Sequence, residues 1–171
     1  MNALAPIFAA SGPYATATAD NAAVPTRYLP PGQLLVTDAP LVITTILGSC
    51  VSLCLWDGPA GVGGINHYLL PTGVGAESQL ERYGDYANER LLQQLLDLGA
   101  RASRLKAKIF GGACVLAAFR KSSDFAERNV RIAMQFARER GIAVVADDTG
   151  GNRGRKLHFR TDDGTALIRY V

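Results

Sequence analysis

The sequence predicts a mixed α/β (α+β) fold of seven or eight strands and two long helices, and three observations carry this. β-branched and alternating apolar runs recur between residues 33 and 70 and again after 105, the pattern of half-buried or buried strands. Two stretches, one from Gly84 and one from Asp124, space their apolar residues three and four apart, as an amphipathic helix does. No segment repeats another. At 171 residues and 48% hydrophobic, the chain can bury one substantial core.

Residues 1–26, rich in Ala, Thr, Pro and Asn without periodicity, read as a mobile tail, and residues 27–171 as a single domain. After the turn Pro30-Pro31-Gly32, Gln33–Thr37 is a first strand. Leu41–Leu47 is a β-branched run, a buried strand that ends at Gly48-Ser49. From Cys50 the alternation resumes. Val51, Leu53 and Leu55 lie on one side, with Cys50, Ser52, Cys54 and Trp56 on the other. Asp57-Gly58-Pro59-Ala60-Gly61 is a turn, and Gly64–Leu70 the next strand, closed by Pro71.

The first helix runs from Gly84 to Leu98 on an apolar face of Ala87, Leu91, Leu95 and Leu98, stopped by Gly99. Lys106–Phe110 is a strand broken by Gly111-Gly112. The second helix starts near Asp124, with Glu127 three positions on in the manner of a capping box, and turns Val130, Ala133, Met134 and Ala137 inward. Ile142–Ala146 is a strand. A loop of Asp, Gly, Asn and Arg follows, and the chain closes with a hairpin of Leu157–Arg160 and Ala166–Val171.

Composition narrows the function classes. A net charge of +3, from scattered residues, is too weak for a nucleic-acid surface. Three cysteines, Cys50, Cys54 and Cys114, show neither zinc spacing nor the C-x-x-C of a thiol redox protein, and fit a reducing cytoplasm. No stretch approaches the ~18 apolar residues that a membrane span needs.

The chemistry concentrates on Cys50 and His67, seventeen residues apart in adjacent strands. A thiol becomes a good nucleophile when an imidazole takes its proton. With the turn centred near Gly58-Pro59, the two strands pair antiparallel and bring Cys50 and His67 roughly opposite one another. The plainer reading has Cys50 as a small buried hydrophobe and His67 as a hydrogen-bonded core residue. Gly48 and Ser49 favour the catalytic reading, because a sharp turn there exposes the thiol and aims backbone N–H groups at a developing oxyanion. Thr44, a hydroxyl in an apolar strand, is available to orient the imidazole, and Thr45 beside it competes for that role.

Six blocks together resemble one known family. They are Leu47-Gly48-Ser49-Cys50-Val51, Gly64-Ile65-Asn66-His67-Tyr68-Leu69-Leu70-Pro71, Arg82-Tyr83-Gly84-Asp85, the run from Leu105 to Ala113, Glu127-Arg128-Asn129-Val130, and Gly150-Gly151-Asn152-Arg153-Gly154-Arg155-Lys156. In this order they are similar to the CheD family of chemoreceptor glutamine deamidases, from about Arg27 to Val171. The resemblance implies sandwiched β-sheets flanked by two long helices, as in cysteine hydrolases of the cytotoxic-necrotizing-factor type. It implies a triad carried by Cys50, His67 and, by family spacing, Thr44. It also implies no cofactor and, as substrates, glutamine side chains of methyl-accepting chemotaxis receptors, with glutamate methyl esters as a further class. A CheC-type phosphatase is the implied regulatory partner. A non-catalytic adaptor docking on receptors or on that phosphatase is the rival reading.

Gly48, Ser49, Ser52, Asn66, Gly111 and Gly112 are the candidate substrate or oxyanion positions, Gly111-Gly112 equally readable as a strand-ending turn. Arg153, Arg155 and Lys156 are candidates for steering an acidic partner. His158, alternating with Leu157 and Phe159, reads as structural.

Overall fold

The computed structural model describes residues 5–6, 23–115 and 124–171. In chain order its elements are β1 (Ala5–Pro6), β2 (Thr26–Tyr28), β3 (Gln33–Thr37), β4 (Val42–Leu47), β5 (Val51–Asp57), β6 (Val62–His67), α1 (Gly84–Asp97), β7 (Lys106–Gly111), α2 (Asp124–Glu139), β8 (Ala143–Thr149), β9 (Arg155–Arg160) and β10 (Ala166–Tyr170). Most of the stretch read as a tail lies outside the described residues, and Ala5–Pro6 pairs antiparallel with β10. Among the described residues no helix is long and apolar enough to cross a membrane.

The strands form two five-stranded sheets, ordered β1-β10-β9-β4-β2 and β3-β6-β5-β7-β8. The mixed α/β expectation holds, with both helices packed on the second sheet. Leu91 and Leu95 of α1, and Ala133, Phe136 and Ala137 of α2, meet Val51, Leu53 and Leu55 of β5 and Ile109 of β7. A second core lies between the sheets, where Ile43, Leu47, Leu157, Phe159 and Ile168 of one meet Cys54, Trp56, Ile65 and Phe110 of the other. The molecule is therefore layered sheet, sheet, helices. The middle sheet is covered on both faces, and all seven residues of β5 are buried.

This layering explains why the run from Val51 to Asp57 carries apolar residues on both sides of its alternation. At one end of the sandwich, Trp56 meets Phe159 edge-on at 6.2 Å, and the buried Lys108 ammonium donates to the Gly164 carbonyl at 2.8 Å. The other end is built by the chain crossing from one sheet to the other. β4 and β5 are consecutive in sequence but lie in different sheets, so Gly48, Ser49 and Cys50 form the crossover between them.

Candidate active site

Thr45 lies on β4 with Ile43 and Leu47, and all three are fully buried toward the space between the sheets. His67 ends β6 in the facing sheet, also fully buried. The Thr45 hydroxyl bridges the two layers. Its oxygen is 2.8 Å from His67 Nδ1 and 2.8 Å from the Leu29 carbonyl oxygen.

That bridge sets the tautomer. A carbonyl oxygen only accepts, so the single hydroxyl proton goes to Leu29, and Thr45 Oγ1 then accepts from Nδ1–H of the ring. Nε2 is left with its lone pair. It is buried and has no hydrogen-bond partner among the described residues. A buried acceptor without a partner is costly unless a reacting group is to fill the vacancy.

The expectation for Thr44 is therefore corrected. Neighbouring residues of a strand point to opposite faces, and Thr44, one step from Thr45, points away from the space between the sheets. It lies between His158 of β9 and Tyr28 of β2. Of the two threonines, it is Thr45 that meets the ring.

The expected pairing of Cys50 with His67 is also shifted. The register Cys54↔Ile65 continues to the bridge Val51↔Tyr68, so Ser52 is the residue opposite His67 and Cys50 stands two residues further along. A two-residue offset keeps both on one face. Diagonal neighbours of this kind are about 7–8 Å apart at the backbone, within reach of an imidazole. Cys50 is half-buried, whereas Ser52 is fully buried with its hydroxyl oxygen unpartnered among the described residues.

Burial raises the Cys50 thiol above its ordinary range, partly opposed by its own backbone N–H. Burial also pulls the His67 imidazolium down to about 4, against a weaker effect of the Leu29 carbonyl. Both shifts favour the neutral forms, thiol and imidazole.

Other candidates divide between the site and its supports. Asn66 faces the helix layer: its side-chain oxygen accepts from Leu53 N–H at 2.9 Å and its amide donates to Asn88 of α1 at 2.8 Å. It does not share the Cys50 face. Gly111 and Gly112 are buried beneath the crossover, with φ of 110° and 69°. Gly112 N–H donates to the Cys50 carbonyl at 2.9 Å, and a Cβ on Gly111 would stand 2.2 Å from that oxygen. These glycines hold the turn and leave no room for substrate.

Gly48 avoids the left-handed region, and a Cβ there would meet only Val115 at 3.5 Å. Its use is as part of a sheet-to-sheet bend, with Ser49 exposed at the tip.

The basic cluster also splits. Arg155 is buried, ion-paired with Asp148 at 2.7 Å and hydrogen-bonded to the Gly150 and Gly111 carbonyls, so it is a structural group rather than a docking one. Arg153 is exposed and stacks 4.1 Å over the Tyr170 ring, and Lys156 is half-buried. Arg153 borders a cleft of about 260 Å³ with Asp148, Gly150, Asn152 and Tyr170.

Apolar periodicity does not single out Asn88 or Asn129. Both are fully buried on the inner faces of their helices. Asn129 Nδ2 donates to the Ser49 carbonyl at 3.1 Å and to the Leu69 carbonyl at 2.9 Å. The signal the sequence does hold is an asparagine at an inward helical position, since a buried amide must satisfy its hydrogen bonds, though it does not say with which partners.

The family model for CheD chemotactic sensory transduction matches residues 69–170, more than half of the chain. The chain belongs to the CheD family. It is 46% identical over 144 residues to a probable chemoreceptor glutamine deamidase CheD 1 of Anaeromyxobacter dehalogenans, covering 84% of each chain. It is 44% identical to a probable chemoreceptor glutamine deamidase CheD of Trichlorobacter lovleyi, covering 87% of this chain and 92% of that one. Against the protein of that name from Agrobacterium fabrum the identity is 48%, over 77% and 72%. An alignment of 144 residues within 171 necessarily includes the segment from Thr45 to His67, so the likeness to CheD takes in the crossover as well as the matched C-terminal part.

Proposed function

We propose that this CheD-family chain is a protein-glutamine deamidase acting on the cytoplasmic domains of chemotaxis receptors, with Cys50 as nucleophile, His67 as base and acid, and Thr45 as the group that orients His67. The observation that carries the reading is the chain Leu29–Thr45–His67, which leaves Nε2 buried and without a partner among the described residues, on a histidine that shares a face with Cys50. The names of its relatives supply the substrate class. The layered sheets with helices on one outer face support kinship with hydrolases of the cytotoxic-necrotizing-factor type.

The steps follow from that tautomer. Nε2 takes the Cys50 proton as the sulfur bonds to the side-chain carbonyl carbon, and the C=O electron pair becomes an oxyanion held by backbone N–H groups at Ser49 and Cys50. One such donor is worth about 2.7–4 kcal/mol. As the carbonyl re-forms, the C–N bond breaks and Nε2–H protonates the departing amine, giving ammonia and a thioester. Water then loses a proton to Nε2 and attacks the thioester, and the leaving sulfur recovers that proton. The product is glutamate. A methyl ester would react by the same steps, with methanol leaving in place of ammonia.

Incubation with a receptor cytoplasmic fragment tests this by mass spectrometry, since each amide converted to a carboxyl group by acyl transfer adds about one dalton. Cys50→Ala and His67→Ala should each abolish the mass change and the ammonia release, with Cys50→Ala melting near wild type. Turnover retained in either variant overturns the assignment.

A further inference from the structure

The crossover holds all three of its carbonyls toward the helix layer. Gly48 O accepts from Ala113 N–H at 2.8 Å, Ser49 O from the Asn129 side chain at 3.1 Å, and Cys50 O from Gly112 N–H at 2.9 Å. The donors lie together on one side, since a Cβ on Gly112 would meet Val130 and Ala126 of α2 at 2.3 Å and 3.1 Å. In a trans peptide unit the C=O of one residue and the N–H of the next point in opposite directions. With the Gly48 and Ser49 carbonyls held inward, the N–H groups of Ser49 and Cys50 point outward, away from α2. Two successive N–H groups aimed the same way form a concavity for negative charge.

We infer that Asn129 is a positioning residue for the oxyanion hole: by holding the Ser49 carbonyl against α2, its side-chain amide aims the Cys50 N–H at the substrate oxygen. The inference rests on the deamidase reading above. Asn129 suits the task because its two amide hydrogens are both spent, one on Ser49 and one on Leu69, two residues past His67. One side chain thus fixes the nucleophile turn and the end of the base-bearing strand to each other. It is itself held, as the Tyr68 hydroxyl donates to the Asn129 backbone carbonyl at 2.6 Å.

The test separates the oxyanion from the nucleophile. Alkylation of Cys50 by iodoacetamide displaces iodide at a saturated carbon and develops no oxyanion, whereas deamidation requires one. Asn129→Asp keeps the shape and replaces the donor with an acceptor, and Asn129→Leu removes the polar group. In both, kcat for ammonia release from a receptor fragment should fall about 100-fold, the loss typical of one oxyanion donor. KM, and the alkylation rate of Cys50 read by peptide mass, should stay within about threefold of wild type, where a 2.7–4 kcal/mol donor would not hide. A kcat within that same margin overturns the inference, as does a parallel fall in turnover and alkylation, which would mean a merely structural role.

Wild-type protein gives an independent measurement if the variants fail to fold. A peptide carrying glutamate semialdehyde in place of the target glutamine adds Cys50 sulfur at its aldehyde carbon, sending the thiol proton to His67 and the negative charge to oxygen. The amide proton signals of Ser49 and Cys50 should then move downfield in NMR spectra, and unmoved signals overturn the inference. Should wild type release no ammonia, the deamidase reading fails, and the aldehyde measurement alone decides where these N–H groups point.

Discussion

Thr45 and His67 stand 22 residues apart in sequence and in different sheets, yet their side chains meet at 2.8 Å. The contact makes one imidazole nitrogen a donor and leaves the other a base.

Replacing Thr45 by Val removes the acceptor for Nδ1–H and the donor to Leu29. Ammonia release should fall on the order of 100-fold, the scale of a misdirected acid–base group. Two buried polar groups lose their partner, so the melting curve should also shift, by about 1–3 kcal/mol. Thr44→Val changes neither contact and should keep activity within about twofold, since its side chain lies on the opposite face of β4 from the ring. Equal losses in the two variants, measured side by side, would refute the assignment.

The pH profile of the reaction should lack an inflection at the ordinary histidine value. His67 must be neutral to accept a proton, and burial holds its imidazolium at about 4. Activity should therefore stay level from pH 7 down to about pH 5 and fall below that. Iodoacetamide alkylation of Cys50 should climb steadily with pH through the neutral range, because burial raises the thiol. A plateau of reactivity below pH 7 would indicate a resting ion pair instead.

Stability should fall on acidification through the same ring. Its pKa is depressed in the folded state, so between about 4 and 6.5 the unfolded chain binds more protons and stability rises with pH. The contribution is complete above 6.5, and by pH 4 about 3 kcal/mol of it is gone, at 1.36 kcal/mol per unit. His67→Gln should flatten the slope of denaturation midpoint against pH in that window. An unchanged slope would remove His67 as its source.

Arg155→Ala should act on folding rather than docking. It leaves Asp148 without its cation and the Gly150 carbonyl without its guanidinium donor, while Gly111 O keeps only the Gly150 N–H, at a cost of about 3 kcal/mol or more. Arg153→Ala removes an exposed stacking contact on Tyr170 worth about 0.5–1 kcal/mol. Chemical denaturation of both variants should separate them by a clear shift in midpoint.

Gly111→Ala should be the most damaging glycine change near the site. Its φ of 110° and the 2.2 Å approach of a Cβ to the Cys50 carbonyl both oppose a side chain. Gly48→Ala meets only Val115, at ordinary contact distance, and should fold within about 1 kcal/mol of wild type. The two melting temperatures, compared directly, test whether the crossover is held from below.

Much of this was legible in the chain. β3 occupies the predicted Gln33–Thr37, and α1 ends one residue short of the predicted Leu98, because apolar periodicity and turn residues are local signals. The register of β5 on β6 was not, since a 3-10 turn over Gly58–Ala60 set the pairing two residues from the expected one. Nor was the assignment of β4 and β5 to different sheets, which depends on packing between distant segments. Thr45 was readable after all: Ile43, Thr45 and Leu47 alternate on one face, and that pattern outweighs the family spacing that favoured Thr44. Asn129 binds residues 60 and 80 positions away, and no local pattern encodes such reach.

Because the hydroxyl belongs to one β-layer and the imidazole to the other, the reactive centre doubles as a gauge of how the two layers are seated. Sliding one over the other by a single pleat would dissolve the proton relay while each layer kept its own strands intact. With the proposed roles of these residues, catalytic competence is a property of the seam, lost when the sandwich slips even if neither half has come apart.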